Sequence, residues 1–250
     1  GIHFQSHSGL LLHEVEDTLK ADGSPYTVFT PFYKNAQKKA VLAPQPFTAF
    51  SVLSKDSLQT AHSTDLKTIE GSIDSSVLAP QPFIKGGRKK GLKRLSDFIE
   101  TNLLTYQQGR DFPALAGTSG LSAHHKFGTI SVRESFFAAF PESQKGSESA
   151  STFISELYWR DFQTQIGYYF PHVYKDHKNF RTQYDALEWT NNKDLFKAWC
   201  KGETGYPIVD AGMRELNETG YMHNRVRMIV ASFLTKDLHV DWKWGEKYFA

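Results

Sequence analysis

TGYPIVDAGMRELNETGYMHNRVRMIVASFLTKDLHVDWKWGEKYFA, residues 204–250, joins a Gly-Tyr-Pro turn, two helix patterns and the polar cluster His223-Asn224-Arg225-Val226-Arg227-Met228 in one block. Pro207 is a favoured first-turn residue and Gly220 a favoured C-terminal cap, so the spacing predicts a helix over 207–219 and another over 223–238. On the second helix Asn224, Arg227, Met228 and Ala231 share a face, while Val226, Ile229, Val230 and Phe233 can fill a core. An Arg or Asn drawn into a core needs a partner, or it costs on the order of several kcal/mol in desolvation. A polar ligand is the simplest partner.

The same logic recurs upstream in SELYWRDFQTQ, residues 155–165, within a helix predicted over 151–170. Ile154, Leu157, Tyr158, Phe162 and Ile166 form an apolar stripe; Glu156, Trp159, Arg160 and Gln163 form the other. A Trp set between an acid and an Arg suits base stacking plus hydrogen bonding. An ordinary amphipathic surface with a Glu–Arg pair reads the same way. Thr118-Ser119-Gly120-Leu121-Ser122 is a small, hydroxyl-rich turn that can offer N–H and O–H donors to a phosphate, or simply cap a helix. Lys85–Arg94 carries six Lys or Arg and no acid, which fits a phosphate-contacting edge or a solvated helix face.

Composition narrows the class. With 250 residues and 40% hydrophobic content, the chain can bury a sizeable core. Its net charge of +2 is too small for a whole-surface nucleic-acid binder, so any such contact is a local patch. The aromatic share of 14% fills cores and can also supply stacking surfaces. A single cysteine, Cys200, excludes an internal disulfide framework and fits a reducing compartment. No apolar run reaches the length of a membrane span, and no secretory signal, P-loop, CxxC or HExxH is present. His124, His125 and His223 have no metal-ligand spacing, and Trp199 and Trp244 read as structural.

Along the chain, residues 1–40 read as the remnant of another unit, with a strand or short helix over Leu10–Gly23 and a β-like run at Tyr26–Phe29 broken by Pro31. Residues 41–84 read as an extended linker carrying VLAPQPF twice, at 41–47 and 77–83. From Lys85 the pattern turns helical, with Leu92, Leu95, Phe98, Ile99 and Leu103 on one stripe. Ser143–Ser151 reads as a loop, and a further helix is predicted over 193–201. The class is mainly α, with residues 85–250 as the helical unit.

YQQGRDFPALAGTSGLS (106–122), FGTISVR (127–133), SELYWRDF (155–162) and the block 204–250 follow one another in an order that resembles the photolyase/cryptochrome family, most of all the class I cyclobutane pyrimidine dimer photolyases. PYTVFTPFYKNA (25–36) resembles that family's exit from its first domain. The resemblance implies a helical FAD-binding domain preceded by the remnant of an α/β antenna domain. It implies reduced FAD as the active cofactor, with a second antenna chromophore in the full-length protein, and damaged DNA as the partner of a monomer. It further implies a cytoplasmic bacterial protein, or a nuclear or organellar eukaryotic one.

By the same resemblance Glu156, Trp159, Asn224 and Met228 meet the flipped-out lesion. Arg110, Arg160, Gln163 and Arg225, with Glu156, Trp159 and Asn224, contact DNA. Tyr106, Thr118, Ser119, Gly120, Leu121, Ser122, Phe153 and Arg227 contact FAD, and Trp189 and Trp242 belong to a chain that passes electrons inward, Trp189 outermost. Excited reduced flavin gives an electron to the dimer, the cyclobutane ring splits, and the electron returns. In the family the stretch beyond the position of Ala250 supplies further flavin contacts, so the chain reads as a piece of a longer protein. Three alternatives stand beside this reading. A (6-4) photolyase typically has His-His where this chain has His223-Asn224. A cryptochrome photoreceptor, including the DASH type, is the second. A helical interaction module without cofactor is the third.

Overall fold

A computed structural model describes residues 9–44, 80 and 82–250. Most of the 41–84 segment, with part of each VLAPQPF copy, lies outside the described residues. Among those described, eight helices of eight or more residues are present and no strand: α1 (Phe29–Ala36), α2 (Arg88–Thr101), α3 (Val132–Gln144), α4 (Glu148–Tyr169), α5 (Lys193–Lys201), α6 (Pro207–Thr219), α7 (Asn224–Lys236) and α8 (Trp242–Phe249).

Local chemistry sets the ends of these helices. Ser131 and Glu134 form a reciprocal capping box at the start of α3. Ser147 caps α4 by accepting from the Ala150 N–H, so the helix begins at Glu148 inside what the Ser-rich composition marks as a loop. Asn192 accepts from Asp194 and Leu195 at the start of α5. Pro207 opens α6, and Gly220 closes it in the left-handed region, as the sequence predicts. His223 caps α7 through its ring, accepting from the Arg225 N–H.

Two cores organise the chain. In the first, Leu157, Tyr158 and Phe162 of α4 pack with Phe32 and Ala36 of α1, Leu95 and Phe98 of α2, and Phe136 of α3. Each such side chain contributes roughly 1.5–3 kcal/mol by leaving water. In the second, Trp199 of α5, Val209 and Met213 of α6, and Val226, Val230 and Leu234 of α7 pack together. Gly212 lets α6 and α7 meet closely, since a Cβ there would lie 2.4 Å from Cγ1 of Val226.

Three local expectations are corrected. Tyr26–Phe29 forms no strand; Phe29 begins helix α1, and Pro31 sits in its first turn, where no N–H is needed. Leu10–Gly23 holds only a 3-10 turn at Val15–Thr18. Leu92 and Ile229 lie outward, 40% and 45% exposed. In α2 the inward place is taken by Gly91, where a Cβ would come 3.0 Å from both His124 and Ile130. In α7 the stripe runs Val226, Val230, Phe233 and Leu234 instead.

The N-terminal segment is pinned to α4 by polar groups on its buried side. The Asp161 carboxylate accepts from the backbone N–H of Leu12 (3.0 Å) and of His13 (3.1 Å). Gln165 donates to the Val15 carbonyl and the Thr18 hydroxyl, and Arg133 donates to the Leu11 carbonyl. Burial pushes the Asp161 carboxyl up to about 7, against the pull of the two N–H donors and of Arg160 and Arg133.

Between about 4 and about 7 the folded protein holds a proton at Asp161 that the unfolded chain releases. The associated stability is full below that window and is lost as pH rises through it. His13 and His125 run the other way: burial lowers both, His125 to about 4, so their contribution is lost as pH falls. Asp161→Asn removes only the first trend. In thermal melts from about pH 5 to 7.5, wild type is expected to lose stability relative to that variant as pH rises. A difference constant across the range would mean that the Leu12 and His13 donors keep the carboxylate ionised.

Candidate functional site

The predicted polar face of α4 forms in part, since Arg160 turns inward to the Leu10 and His125 carbonyls. Glu156 and Arg160 are half-buried, Gln163 is exposed, and Trp159 is 38% exposed. Glu156 Oε1 accepts from Arg110 Nη1 at 2.7 Å. Arg110 follows the helical turn Tyr106–Gly109, and its guanidinium lies 5.4 Å from the centre of the Tyr106 ring. The next residue, Asp111, accepts from Nε (2.8 Å) and Nη2 (2.6 Å) of Arg225 on α7. Two consecutive residues thus tie the acid of α4 to the cation of α7. The Glu156–Arg110 pair is the more sheltered, with side chains 32% and 18% exposed. The Arg225–Asp111 pair is open to solvent, so it sets position more than it adds stability. The sequence gives no sign of Asp111, because a carboxylate in a loop carries no spacing signal.

At the start of α7 Asn224 and Met228 are exposed neighbours, Nδ2 to Sδ 3.8 Å. Trp159 makes its ring contacts elsewhere, with Phe29 and Phe162. Arg160 is turned inward, donating to the carbonyls of Leu10 and His125. Two cavities, about 600 and 440 Å³, lie apart from this face, one against α1, α3 and α4 and the other between α7 and α8.

The hydroxyl-rich turn sits where the two cores meet. Thr118 Oγ1 is 3.3 Å from the Tyr221 hydroxyl, and the Ser119 carbonyl accepts from Arg94 Nε at 2.9 Å. Gly120 has φ +60°, a conformation that strains other residues, and a Cβ there would fall 2.0 Å from the Arg94 guanidinium and displace it. Leu121 is buried, while Ser122 is exposed at the start of a short helical turn. Phe83 stacks on Tyr221 (4.1 Å, 19°) and lies beneath Arg94. Of the basic run, Arg94 is the member that reaches this turn, whereas Arg88 and Lys93 pair with Glu134 and Asp97. Tyr106 and Phe153 are buried and meet edge-on at 5.5 Å, and burial pushes the Tyr106 hydroxyl up to about 12.

Arg227 is half-buried over the Phe249 ring, and no carboxylate pairs with it among the described residues. A half-buried guanidinium with no carboxylate beside it among the described residues is a cation whose charge an anion would balance. Trp189 is half-buried beside Thr190, whose N–H donates to the His239 carbonyl. Trp242 opens α8 and donates from Nε1 to Asn179.

A family model described as the FAD binding domain of DNA photolyase matches residues 153–250. The deoxyribodipyrimidine photo-lyase of Alkalihalophilus pseudofirmus is 40% identical over 248 residues, covering 99% of this chain and 51% of the relative. This chain belongs to the DNA photolyase/cryptochrome family. Among solved structures, a bacterial class III photolyase from Agrobacterium tumefaciens superposes with a TM-score of 0.84 at 39% identity, over 96% of this chain and 50% of that one. An archaeal photolyase from Sulfolobus tokodaii, solved with two FAD molecules, gives 0.77 at 40% identity, over 97% and 49%.

The chain therefore spans about half the length of the photolyases it matches. Its helical architecture is that of the photolyase FAD-binding domain, and FAD is the cofactor of that domain. Arg227, a half-buried cation without a carboxylate partner among the described residues, suits that cofactor's negative charge. Among the described residues no helix is long and apolar enough to cross a membrane, and no His, Cys, Asp or Glu cluster could hold a metal ion.

Proposed function

We propose that this chain is the flavin-binding, lesion-recognising part of an enzyme that uses light to split cyclobutane pyrimidine dimers in DNA, with residues 85–250 as the working unit and residues 1–40 as the end of a preceding one. The observation that carries this reading is the bridge Glu156–Arg110, Asp111–Arg225, which connects the acid-bearing face of α4 to the start of α7. Glu156 supplies a carboxylate for a pyrimidine N–H, Trp159 a flat face, Asn224 an amide for a carbonyl and Met228 a polarisable contact. Arg110, Arg225 and Gln163 lie on the strand side; Arg160, held by two carbonyls, shapes that side from beneath. Tyr106, Thr118, Ser119, Gly120, Leu121, Ser122, Phe153 and Arg227 hold the cofactor, and Trp189 and Trp242 feed electrons toward it. Bound FAD supplies the light-driven electron and takes it back once the ring has opened. The protein contributes position, charge and exclusion of water.

His223-Asn224 in place of a His-His pair favours dimers over (6-4) products, and the retained Glu156 and Trp159 favour repair over signalling. The test is light-dependent repair of a thymine-dimer oligonucleotide by the longest natural protein that carries these residues, loaded with FAD. Dimer repair without (6-4) repair is expected. Bound flavin with neither lesion repaired would transfer the chain to the photoreceptors, including the cryptochromes.

A further inference from the structure

Trp159 does not stand alone. Its indole lies parallel to the ring of Phe29, with centroids 3.7 Å apart and 8° between planes. Phe162 meets both rings edge-on, at 5.7 Å and 79° to Trp159 and 5.8 Å and 72° to Phe29. Tyr33, one turn along α1, continues the stack on Phe29 at 5.4 Å and 11°. One face of the indole is thus covered and one edge is held, yet 38% of the residue stays exposed.

We infer that Phe29 is the positioning residue that turns Trp159 into a one-sided stacking platform. This rests on the proposed function of the α4 face. A free indole on a helix samples several rotamers, and a ligand must then bear the cost of ordering it. Offset and parallel aromatic pairs prefer defined separations, so Phe29 fixes the plane of the indole before the ligand arrives. The platform then accepts one flat ring, at one angle, on one side. The residue comes from the YTVFTPF segment, 130 positions before Trp159, so that the N-terminal segment completes a site carried by the helical domain.

The experiment uses Phe29→Leu and Phe29→Met, which keep much of the volume and remove the ring, with Phe29→Tyr as the conservative rescue and Trp159→Ala as the reference. The protein is the FAD-loaded, longest natural chain that contains these residues. The readout is the ratio of dissociation constants for undamaged and thymine-dimer oligonucleotides, measured alongside FAD content. The ratio is expected to fall about three- to tenfold in Leu and Met, with their FAD content and undamaged-DNA affinity unchanged, to return in Tyr, and to fall at least as far in Trp159→Ala. An unchanged ratio in Leu and Met beside a lowered ratio in Trp159→Ala overturns the role of Phe29 and leaves the function standing. A ratio unmoved by Trp159→Ala as well overturns both. Parallel loss of FAD and of both affinities in Leu and Met, with Tyr behaving as wild type, reduces Phe29 to a packing residue and overturns the inference.

Discussion

Glu156→Ala is expected to lower light-driven repair of a thymine-dimer oligonucleotide by about tenfold or more, with FAD content nearly unchanged. The magnitude follows from the loss of one hydrogen bond to a charged group, about 1.5–3 kcal/mol, where 1.4 kcal/mol corresponds to about a factor of ten. Two effects combine. The carboxylate proposed to meet the lesion disappears, and Arg110 loses its 2.7 Å partner. Arg110 is half-buried, so its freed guanidinium swings toward solvent or toward Asp111, which already holds Arg225. The bridge between α4 and α7 then shifts with it. Glu156→Gln keeps a hydrogen-bonding side chain and should fall between wild type and alanine. Repair yield per absorbed photon and flavin absorbance, measured on the same samples, separate the two sites. If the flavin leaves with Glu156, the acid belongs to the cofactor pocket and the assignment of the α4 face is wrong.

The largest effect on stability is expected at Trp199. Its side chain is fully buried and its Nε1–H donates to the Val230 carbonyl of α7 at 3.1 Å. Phe196 stacks on it at 5.8 Å, and Tyr248 and Phe249 of α8 lie 5.8 and 5.3 Å away. Trp199→Ala removes the residue common to α5, α7 and α8 together with its hydrogen bond to the Val230 carbonyl, leaving a cavity. A loss of about 3–5 kcal/mol is expected. The urea midpoint should drop accordingly, and Trp199→Phe, which retains most of the ring, should lose less. Because α7 carries Asn224, Arg225 and Met228, DNA affinity should fall in step with stability. A midpoint unchanged in Trp199→Ala would mean that the second core does not hold α7.

Some of this architecture could be read directly from residue order. Pro207 and Gly220 bound α6 because a ring that pre-sets φ and a residue free to take positive φ act locally. The stripe Ile154, Leu157, Tyr158 and Phe162 is buried as its period demands. The polar faces of α4 and α7 followed from the same period. Other features resisted. Tyr26–Phe29 has β-forming composition, yet no strand is available among the described residues to pair with it, and packing of Phe29 and Phe32 on α4 makes a helix instead. Leu92 turned outward because Gly91 allows a contact with His124 and Ile130 that a larger residue would block.

Residue order alone determined which helices are amphipathic, where several of them stop, and which polar groups lie on their outer faces, since these depend on neighbours three or four positions away. Tertiary structure alone decided the partners. Arg110 reaches Glu156 and Asp111 reaches Arg225, the latter pair 114 positions apart, Asp161 holds the N-terminal segment, Arg94 fills the space beside Gly120, and Phe29 backs Trp159. Charge pairs and ring stacks form between whatever groups the fold brings within a few ångströms, and no periodicity in the chain records that approach.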